Sequence, residues 1–411
     1  MCCKTVSDNL NIYGGRIMNS FRDKIYIFIE IILHILPVKE DRIFFSSFHG
    51  QYNDNPKYIS VKLHEIAPHV RQYWVLSEKS KENDLPSYVE TIRYNTLKYC
   101  WIKNRCRIIV ENGAGAYIYN TSKRFTIKRL LKNHKQFDIS TWHGNPIKHI
   151  GAQIPENQDW NENTFNTTSD VMLSGCEYVK EVFEKAFLNK MPVLLLGTPR
   201  TDILFNLTEN KKKKVKQKLG LPIDKKIVLY APTYRNNPED SGVIQMRLFD
   251  FHDLFSALSK RFGGEWVFVF RVHNMVLLKI NTKEISEQYG GRVLNGNVYD
   301  DMMEYMAASD ALITDYSGCI FDNAHSKIPC FLFAHDRENY LKIERGTYIH
   351  LNQLPYPFAD TFADLKTNII EYDDKECSER VDKFQRYIGN IEDGKASDRV
   401  CQLILRKLAG N

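Results

Sequence analysis

Short apolar runs alternate with helix-forming stretches along most of this chain, and this alternation restricts the fold more than any other feature. Runs of this kind are typical of buried strands, and a helix between successive strands makes the strands parallel. The sequence therefore predicts α/β structure with helices on both faces of mostly parallel sheets. The predicted strands cover residues 42–46, 73–77, 107–111, 137–141, 171–174, 193–196, 227–230, 266–271, 292–294, 311–314 and 330–333. The clearest predicted helices cover residues 56–66, 95–103, 177–187, 254–262, 302–308 and 319–324.

A polar, charged stretch divides the alternation into two halves. It includes the run Lys211–Lys214, and a chain of 411 residues is long enough for more than one hydrophobic core. We therefore predict two doubly wound, Rossmann-like α/β domains that face each other across a cleft. The predicted boundaries are 1–40 for a lead-in and an apolar helix, 41–205 for the N-terminal domain, 206–222 for the linker, and 223–411 for the C-terminal domain with its C-terminal helices.

Charge and cysteine content exclude several classes of protein. The net charge of +6 is modest for this length, which argues against a nucleic-acid-binding protein and suits an anionic substrate or an anionic membrane surface. Nine cysteines without a CxxC pair argue against a disulfide framework or a zinc site. A reducing cytosol is therefore the expected compartment.

Two segments are candidates for contact with a membrane surface. The apolar run Ile25–Leu36 is too short to span a bilayer, so it is predicted either as a buried helix of the first domain or as a helix in the membrane interface. Residues 121–135 combine six Lys and Arg residues with apolar ones, which fits either an ordinary surface helix or a basic segment on an anionic membrane. The first 17 residues are expected to be a disordered lead-in.

Cationic and hydroxyl side chains follow two predicted strands of the second half. Thr233 and Arg235 come after strand 227–230 in the motif LYAPTYR. Arg271 and His273 alternate at the end of the next long strand, so they point to one side. Two cationic groups on one side favour a diphosphate ligand, and a carboxylate partner for Arg271 is the alternative.

A third motif in this half places a helix start directly after a strand. Asp315, Ser317 and Gly318 lie between strand 311–314 and helix 319–324. The N-terminus of a helix binds phosphate through free main-chain N–H groups. Asp315 alternatively serves only as the helix cap.

The first half carries a histidine at the end of a strand. His143 follows strand 137–141, beside Trp142, and Gly144 restricts the loop while Lys148 adds a positive charge. A histidine in such a place can accept a proton from a hydroxyl group at neutral pH, although a lone histidine is more often structural.

Arg200 and Asp202 lie in the motif GTPRTD at the end of the first half, where they form a candidate ion pair at the crossing between domains. No Walker loop, GxGxxG motif or suitably placed DxD motif occurs in the chain. Phosphate is therefore expected to be held by arginines, a histidine and a helix start, with no cofactor and no resident metal. The sequence leaves open whether a loosely bound Mg²⁺ takes part.

Five motifs in a fixed order resemble the CDP-glycerol glycerophosphotransferase family, whose members make wall teichoic acids and related polyol-phosphate polymers. The resemblance runs from about Ile43 to about Tyr348 and rests on WHGNPIKHIG, GTPRTD, LYAPTYR, RVH and LITDYSGCIFD. It departs from the family pattern at Gly318, where a second serine is usual, and after Tyr348, where an acidic residue and Pro-Gly-Pro are usual. These departures indicate a divergent branch, with a capsule polymer as one expected product.

The resemblance implies a GT-B-like fold. It also implies transfer of glycerol phosphate or ribitol phosphate from a CDP-activated donor to a hydroxyl of a lipid-linked saccharide, with release of CMP at the cytoplasmic face of the membrane. The implied roles are the general base for His143, and donor binding in the C-terminal domain for Thr233, Arg235, Arg271, His273, Asp315, Ser317 and Gly318. Acceptor-side or structural roles are expected for Trp142, Gly144, Lys148, Arg200 and Asp202.

Two other functions remain open at this point. One is a nucleotide-sugar glycosyltransferase with the same fold, since a fold does not determine a function. The other is a non-catalytic scaffold on the membrane surface. The sequence makes no prediction of the oligomeric state.

Overall fold

The computed structural model divides the chain into two compact units. The first contains residues 1–143, 151–202 and 391–411, and the second contains residues 144–150 and 203–390. The structure describes residues 21–47, 50–77, 85–94, 96–112, 133–154, 169–187, 191–205, 207–233, 247–272, 286–337, 340 and 346–410.

The described strands form one parallel sheet in each unit. Those of the first unit are β1 (Lys39–Ser46), β2 (Arg71–Leu76), β3 (Val89–Arg93), β4 (Cys106–Glu111), β5 (Phe137–Ser140), β6 (Val171–Ser174) and β7 (Val193–Leu195). Those of the second unit are β8 (Lys226–Tyr230), β9 (Trp266–Phe270), β10 (Val293–Asn295), β11 (Ala311–Thr314), β12 (Cys330–Phe333) and β13 (Phe358–Ala359).

Both sheets reverse their strand order at one point. The order is β3-β2-β1-β4-β5-β6-β7 in the first sheet and β10-β9-β8-β11-β12-β13 in the second, and all strand pairs are parallel. The reversal lies between β1 and β4 in one sheet and between β8 and β11 in the other. In open α/β sheets, ligands bind beyond the carboxyl ends of the strands at this point.

Helices follow most of the strands. The described helices are α1 (Phe21–Leu33), α2 (Asp54–Ile66), α3 (Leu97–Arg105), α4 (Glu177–Ala186), α5 (Glu209–Lys218), α6 (Phe251–Phe262), α7 (Met302–Ala308), α8 (Cys319–Ser326), α9 (Phe362–Ile370), α10 (Asp374–Tyr387) and α11 (Ala396–Leu408). Short 3₁₀ turns occur at Gly151–Gln153, Pro199–Leu204 and Leu351–Gln353.

The two sheets are buried in apolar cores of their own. In the first unit Phe45 stacks on Trp74, with ring centroids 5.1 Å apart. In the second unit Phe249 packs edge-on against Tyr230 and Phe268. These continuous apolar strands match the predicted fold class of two doubly wound α/β domains.

The predicted domain boundaries need correction at the C-terminus. Helix α11, expected in the C-terminal domain, belongs to the first unit, because Val400, Cys401 and Ile404 are buried in the same core as Ile43. The predicted linker is also part of a unit. It forms α5, whose Lys212 Nζ lies 2.6 Å from a carboxylate oxygen of Asp310 in the second unit.

Helix α1 has one packed face and one exposed face. Glu30 on α1 forms an ion pair with Lys103 on α3, at 2.8 Å, and both side chains are completely buried. Ile29 and Leu33 pack against the apolar cluster beside α3. No helix in the described ranges is long and apolar enough to cross a membrane. The expectation of a packed helix thus holds for one face of α1.

Candidate functional site

His143 lies just beyond the end of β5, and its ring has a defined hydrogen-bonding state. Its Nδ1 lies 2.8 Å from the main-chain oxygen of Asn112, which directly follows β4. Because a carbonyl oxygen only accepts, Nδ1 carries the proton and donates it. In the neutral ring, Nε2 is then the nitrogen with the lone pair, as a general base requires.

The main chain around His143 is held by residues from two other elements. Arg200, in the 3₁₀ turn after β7, donates from its guanidinium to the main-chain oxygen of His143 at 2.6 Å. Asn55, in the first turn of α2, donates from Nδ2 to the main-chain oxygens of Thr141 and Trp142 at 3.3 and 3.1 Å. The histidine is therefore fixed at its ring and along its main chain.

Burial lowers the pKa of His143 below its ordinary value. The hydrogen bond to Asn112 and the negative charge of Asp54 act in the opposite direction, and the positive charge of Arg200 acts with burial. Because burial has the largest effect, the imidazole is mostly neutral near pH 7. This is the protonation state that can take a proton from a hydroxyl group.

Trp142 turns the chain at the end of β5. Its φ angle of 51° lies in the left-handed region, which costs energy for a residue with a side chain. Its ring stacks beside His143 at 4.4 Å and packs against Phe187 at 4.8 Å. Packing of the indole thus stabilises the turn that presents His143.

In the second unit, Asp315 joins the ends of β8 and β11. Its Oδ1 accepts hydrogen bonds from the main-chain nitrogens of Thr233, at 2.8 Å, and of Tyr316, at 2.6 Å. The carboxylate is completely buried. Asp315 therefore holds together the two loops at the point where the strand order reverses, and Gly318, not Asp315, is the N-cap of α8.

Gly318 is approached closely by a loop of the same unit. A Cβ atom at this position would lie 2.6 Å from the main-chain oxygen of Asn145. Asn145 belongs to the motif that follows His143, and residues 144–150 pack within the second unit. The close approach leaves little room for a side chain at position 318.

The rest of that loop pairs with the segment 346–348. Lys148 and Thr347 form an antiparallel bridge, and the nitrogen of Tyr348 donates to the main-chain oxygen of Ile147 at 2.8 Å. The Nζ of Lys148 lies 5.1 Å from the ring of Tyr340. The predicted Lys148 is thus part of the second unit, with a cation–π contact.

Arg271 is buried and has main-chain partners. Its guanidinium donates to the main-chain oxygens of Gly296, Tyr299 and Asp300, at 2.6 to 2.7 Å. Burial lowers its pKa, but an arginine stays protonated at neutral pH. These bonds give Arg271 a role in shaping the loop after β10, and its predicted contact with a diphosphate stays a prediction.

Arg200 and Asp202 have different partners. Arg200 pairs with Asp54 at 3.2 Å. Asp202 accepts from the main-chain nitrogens of Ala396 and Ser397, at 3.0 and 2.7 Å, and so caps the start of α11. The ion pair expected between Arg200 and Asp202 is thus replaced by two contacts within the first unit.

Four predictions fall outside the described residues: those for Arg235, for His273, for most of the basic stretch, residues 121–132, and for the lead-in of the first 17 residues. Lys135, at the end of that stretch, is described. Its Nζ donates to the main-chain oxygens of His34, Ile35 and Leu36 at 2.9 to 3.4 Å, just after α1. Within the described ranges, no group of three or more His, Cys, Asp or Glu side chains is arranged to hold a metal.

Sequence reasoning missed Asp54, Asn55 and Asn112, which surround His143. All three follow strands of the first sheet, β1 or β4, at the reversal of strand order. A signal was present, since polar residues directly after two apolar runs are candidates for the same sheet edge. In this part of the chain the sequence predicts only the helix 56–66.

Comparisons with known proteins agree with this architecture. The sequence pattern of the CDP-glycerol:poly(glycerophosphate) glycerophosphotransferase family matches residues 28–406. The teichoic acid poly(glycerol phosphate) polymerase of Staphylococcus epidermidis is 30% identical over 89% of this chain, which spans about half the length of that relative. The teichoic acid glycerol-phosphate transferase of Staphylococcus aureus is 28% identical, with 91% of this chain and 95% of that protein covered.

A solved structure matches over nearly the whole chain. The structure of the wall teichoic acid polymerase TagF superposes with a TM-score of 0.75 at 28% identity, covering 93% of both chains. The match confirms the predicted fold class, and the sequence pattern covers the motifs that surround His143 and the start of α8. The chain belongs to the CDP-glycerol:poly(glycerophosphate) glycerophosphotransferase family.

Proposed function

We propose that this chain transfers a polyol phosphate from a CDP-activated polyol to a hydroxyl group of a lipid-linked saccharide and releases CMP. The observation that carries the proposal is the His143 ring, in which Nδ1 donates to the Asn112 carbonyl, so that Nε2 is the nitrogen with the basic lone pair. Relatives support the class of donor, since their names specify glycerol phosphate in two cases and ribitol phosphate in another.

In the proposed reaction, the first unit supplies the base. The acceptor oxygen attacks the phosphorus that carries the polyol, and its proton moves to Nε2 of His143. A bond forms between that oxygen and the phosphorus, while the bond from the phosphorus to the CMP oxygen breaks and its electron pair leaves with CMP. Because burial lowers the pKa of His143, the ring is ready to accept the proton near pH 7.

The second unit is proposed to bind the CDP group. Thr233 and Ser317 lie at the ends of β8 and β11, and α8 begins there with Gly318 as a cap that has no side chain. Main-chain N–H groups at such a helix start attract phosphate oxygens. Arg235 and His273 remain donor-binding candidates by their motifs, and Arg271 is assigned to the support of the neighbouring loop.

We also propose peripheral binding to the cytoplasmic face of a membrane, where a lipid-linked acceptor would be found. Helix α1 and the turn after it expose Phe28, Ile32 and Ile35, with 64, 46 and 79% of their surface accessible. Lys135, the last residue of the basic stretch, donates to the main chain just after this helix. Apolar side chains next to basic residues suit the boundary of an anionic bilayer.

A panel of donors tests the proposed reaction. The purified chain is incubated with CDP-glycerol, CDP-ribitol or a UDP-sugar, with a lipid-linked saccharide, and with or without a chelator. We expect acceptor-dependent release of CMP from a CDP-polyol, with one polyol phosphate added to the acceptor. Release of UDP from the UDP-sugar would indicate a glycosyltransferase instead, and failure of every CDP-polyol would contradict the proposal.

A further inference from the structure

The carboxylate of Asp54 is connected through hydrogen bonds to both the main chain and the imidazole ring of His143. We infer that Asp54 is a positioning residue for the transfer reaction. The inference rests on the proposed function, because it requires His143 to act as the base. Asp54 lies 89 positions before His143 in the chain. Asp54 touches neither reactant in this role, and it acts through Arg200 and Asn112.

The first connection runs through Arg200 to the main chain. Oδ1 of Asp54 lies 3.2 Å from NH1 of Arg200, and the same NH1 donates to the main-chain oxygen of His143 at 2.6 Å. Both side chains of the ion pair are mostly buried, with 16% of Asp54 and 8% of Arg200 accessible. The buried carboxylate therefore orients the guanidinium that holds His143.

The second connection runs through Asn112 to the ring. Oδ2 of Asp54 accepts from Nδ2 of Asn112 at 3.0 Å, and the main-chain oxygen of Asn112 accepts from Nδ1 of His143 at 2.8 Å. The two connections close a ring of hydrogen bonds that contains Asp54, Arg200, His143 and Asn112. Such a ring fixes both the rotation of the imidazole and the nitrogen that carries the proton.

The backbone at Asp54 indicates that its position is maintained at a cost. Its φ angle is 56°, in the left-handed region, although Asp54 opens α2 and carries a side chain. Non-glycine residues in this region are retained where the surroundings compensate, often at functional sites. Here the compensation includes the bonds from Arg200, from Asn112 and from the nitrogen of Asn55 at 2.7 Å.

The two charged members of this hydrogen-bonded cycle, Asp54 and Arg200, act on the pKa of His143 in opposite directions. Asp54 stabilises the protonated imidazole and Arg200 destabilises it. Glu111, which precedes Asn112 at the end of β4, accepts a hydrogen bond from the Ser169 hydroxyl at 3.4 Å. Removing the charge of Asp54 should therefore move the acidic limb of the pH–rate profile to lower pH, and removing that of Arg200 should move it to higher pH.

The first test compares Asp54→Asn with wild type. We expect kcat to fall about tenfold or more, as part of the about 10²–10⁴-fold that a general base contributes, while KM for the CDP-polyol stays unchanged. Asp310→Asn is the matched control, since Asp310 is similarly buried, with 21% accessible, and pairs with Lys212 and Lys216. The control should keep the kcat and the pH profile of wild type.

Two further variants separate charge from geometry. Arg200→Gln should move the acidic limb in the direction opposite to Asp54→Asn, which a general loss of stability would not do. Asn112→Ala keeps both charges but cuts one connection, so it should lower kcat with little movement of the limb. If Asp54→Asn does not fold, these two variants carry the same comparison.

Nuclear magnetic resonance of ¹⁵N-labelled histidine gives a readout that needs no turnover. The His143 signals are identified by their loss in His143→Asn, and we expect a protonated Nδ1 in wild type, with titration moved to lower pH in Asp54→Asn. A wild-type chain that transfers nothing from any CDP-polyol would contradict the proposed function. The His143 titrations would in that case still test whether Asp54 is coupled to His143. Wild-type kcat and an unmoved His143 titration in Asp54→Asn would overturn the positioning role.

Discussion

At the scale of single residues, Gly318 gives the most specific prediction from packing. A Cβ atom there would lie 2.6 Å from the main-chain oxygen of Asn145, and two backbone segments cannot separate without moving a loop. Both Gly318→Ala and Gly318→Ser should therefore lower the melting temperature and weaken donor binding, since the added Cβ is common to both. Thermal unfolding and titration with CDP-glycerol measure these effects.

The serine variant is the sharper of the two, because the resemblance to the family predicts serine at this position. Its hydroxyl cannot remove the clash of its Cβ with Asn145. A Gly318→Ser variant as stable as wild type, with full donor affinity, would show that the close approach does not determine this residue.

The sequence identified His143 as a candidate but could not identify what holds it. A histidine after a strand is visible in the motif, whereas its partners come from residues 54–55, 112 and 200. Arg271 illustrates the same limit. Strand periodicity predicted the side to which it points, but the main-chain oxygens that it binds lie 25 to 29 positions away and appear only in the folded loop.

At the scale of elements, helix α1 packs against the first unit on one face, and the proposed membrane contact concerns its exposed face. The exposed residues Phe28, Ile32 and Ile35 should bind the interface, so their joint replacement by Ser should weaken binding to anionic vesicles. Each side chain contributes on the order of 1 kcal/mol when partly buried, so the partition coefficient should fall about a hundredfold. Vesicle sedimentation measures the change.

Ile66→Ser on α2 is the matched control, because Ile66 has 44% of its surface accessible and lies on another helix of the same unit. The control should bind vesicles like wild type. The triple variant should keep its fold, since Glu30 and Lys103 still attach α1 to α3. Unchanged vesicle binding by the triple variant would remove α1 from the membrane proposal.

Most elements were predictable because buried parallel strands produce unbroken apolar runs. Strands β6, β11 and β12 begin and end at the predicted residues. Strands β3 and β13 were missed for physical reasons. β3 lies at a sheet edge with exposed positions among buried ones, and β13 has only two residues, which is too short for any pattern.

At the scale of the whole molecule, the path of the chain was the least predictable feature. After the second unit the chain returns to the first, where α11 buries Ile404 against the sheet and Asp202 caps the helix. The apolar face of α11 was visible in the sequence, but the sheet that it would cover was not. An amphipathic pattern indicates that a face is buried and does not identify its partner.

Glu392 lies just after the point where the chain returns to the first unit. Its environment leads us to expect a dependence of the free energy of unfolding on pH. Its Oε1 accepts from the nitrogen of Thr198 at 2.7 Å, and burial raises its pKa from 4.5 to about 8. The folded chain thus holds a proton that the unfolded chain has lost, so this stabilisation is complete in acid and is lost as pH rises through about 8.

Urea unfolding at several pH values tests this prediction. The contribution of Glu392 to the free energy of unfolding of wild type should fall as pH rises from 4.5 to about 8, and should level off above that pH. Glu392→Gln keeps an oxygen for Thr198 and removes the titration, so its stability should fall less over the same range. Equal slopes for the two proteins would contradict the raised pKa of Glu392.

The most direct test of His143 as the general base is a single turnover by His143→Asn with saturating CDP-polyol and a lipid-linked acceptor. Asparagine can still donate to the Asn112 carbonyl but cannot act as a base, so the fold and the affinity for the donor should be retained. We expect the rate of CMP release to fall by about 10²–10⁴-fold. CMP release at nearly the wild-type rate, with product formed on the acceptor, would contradict the assignment of His143 as the base.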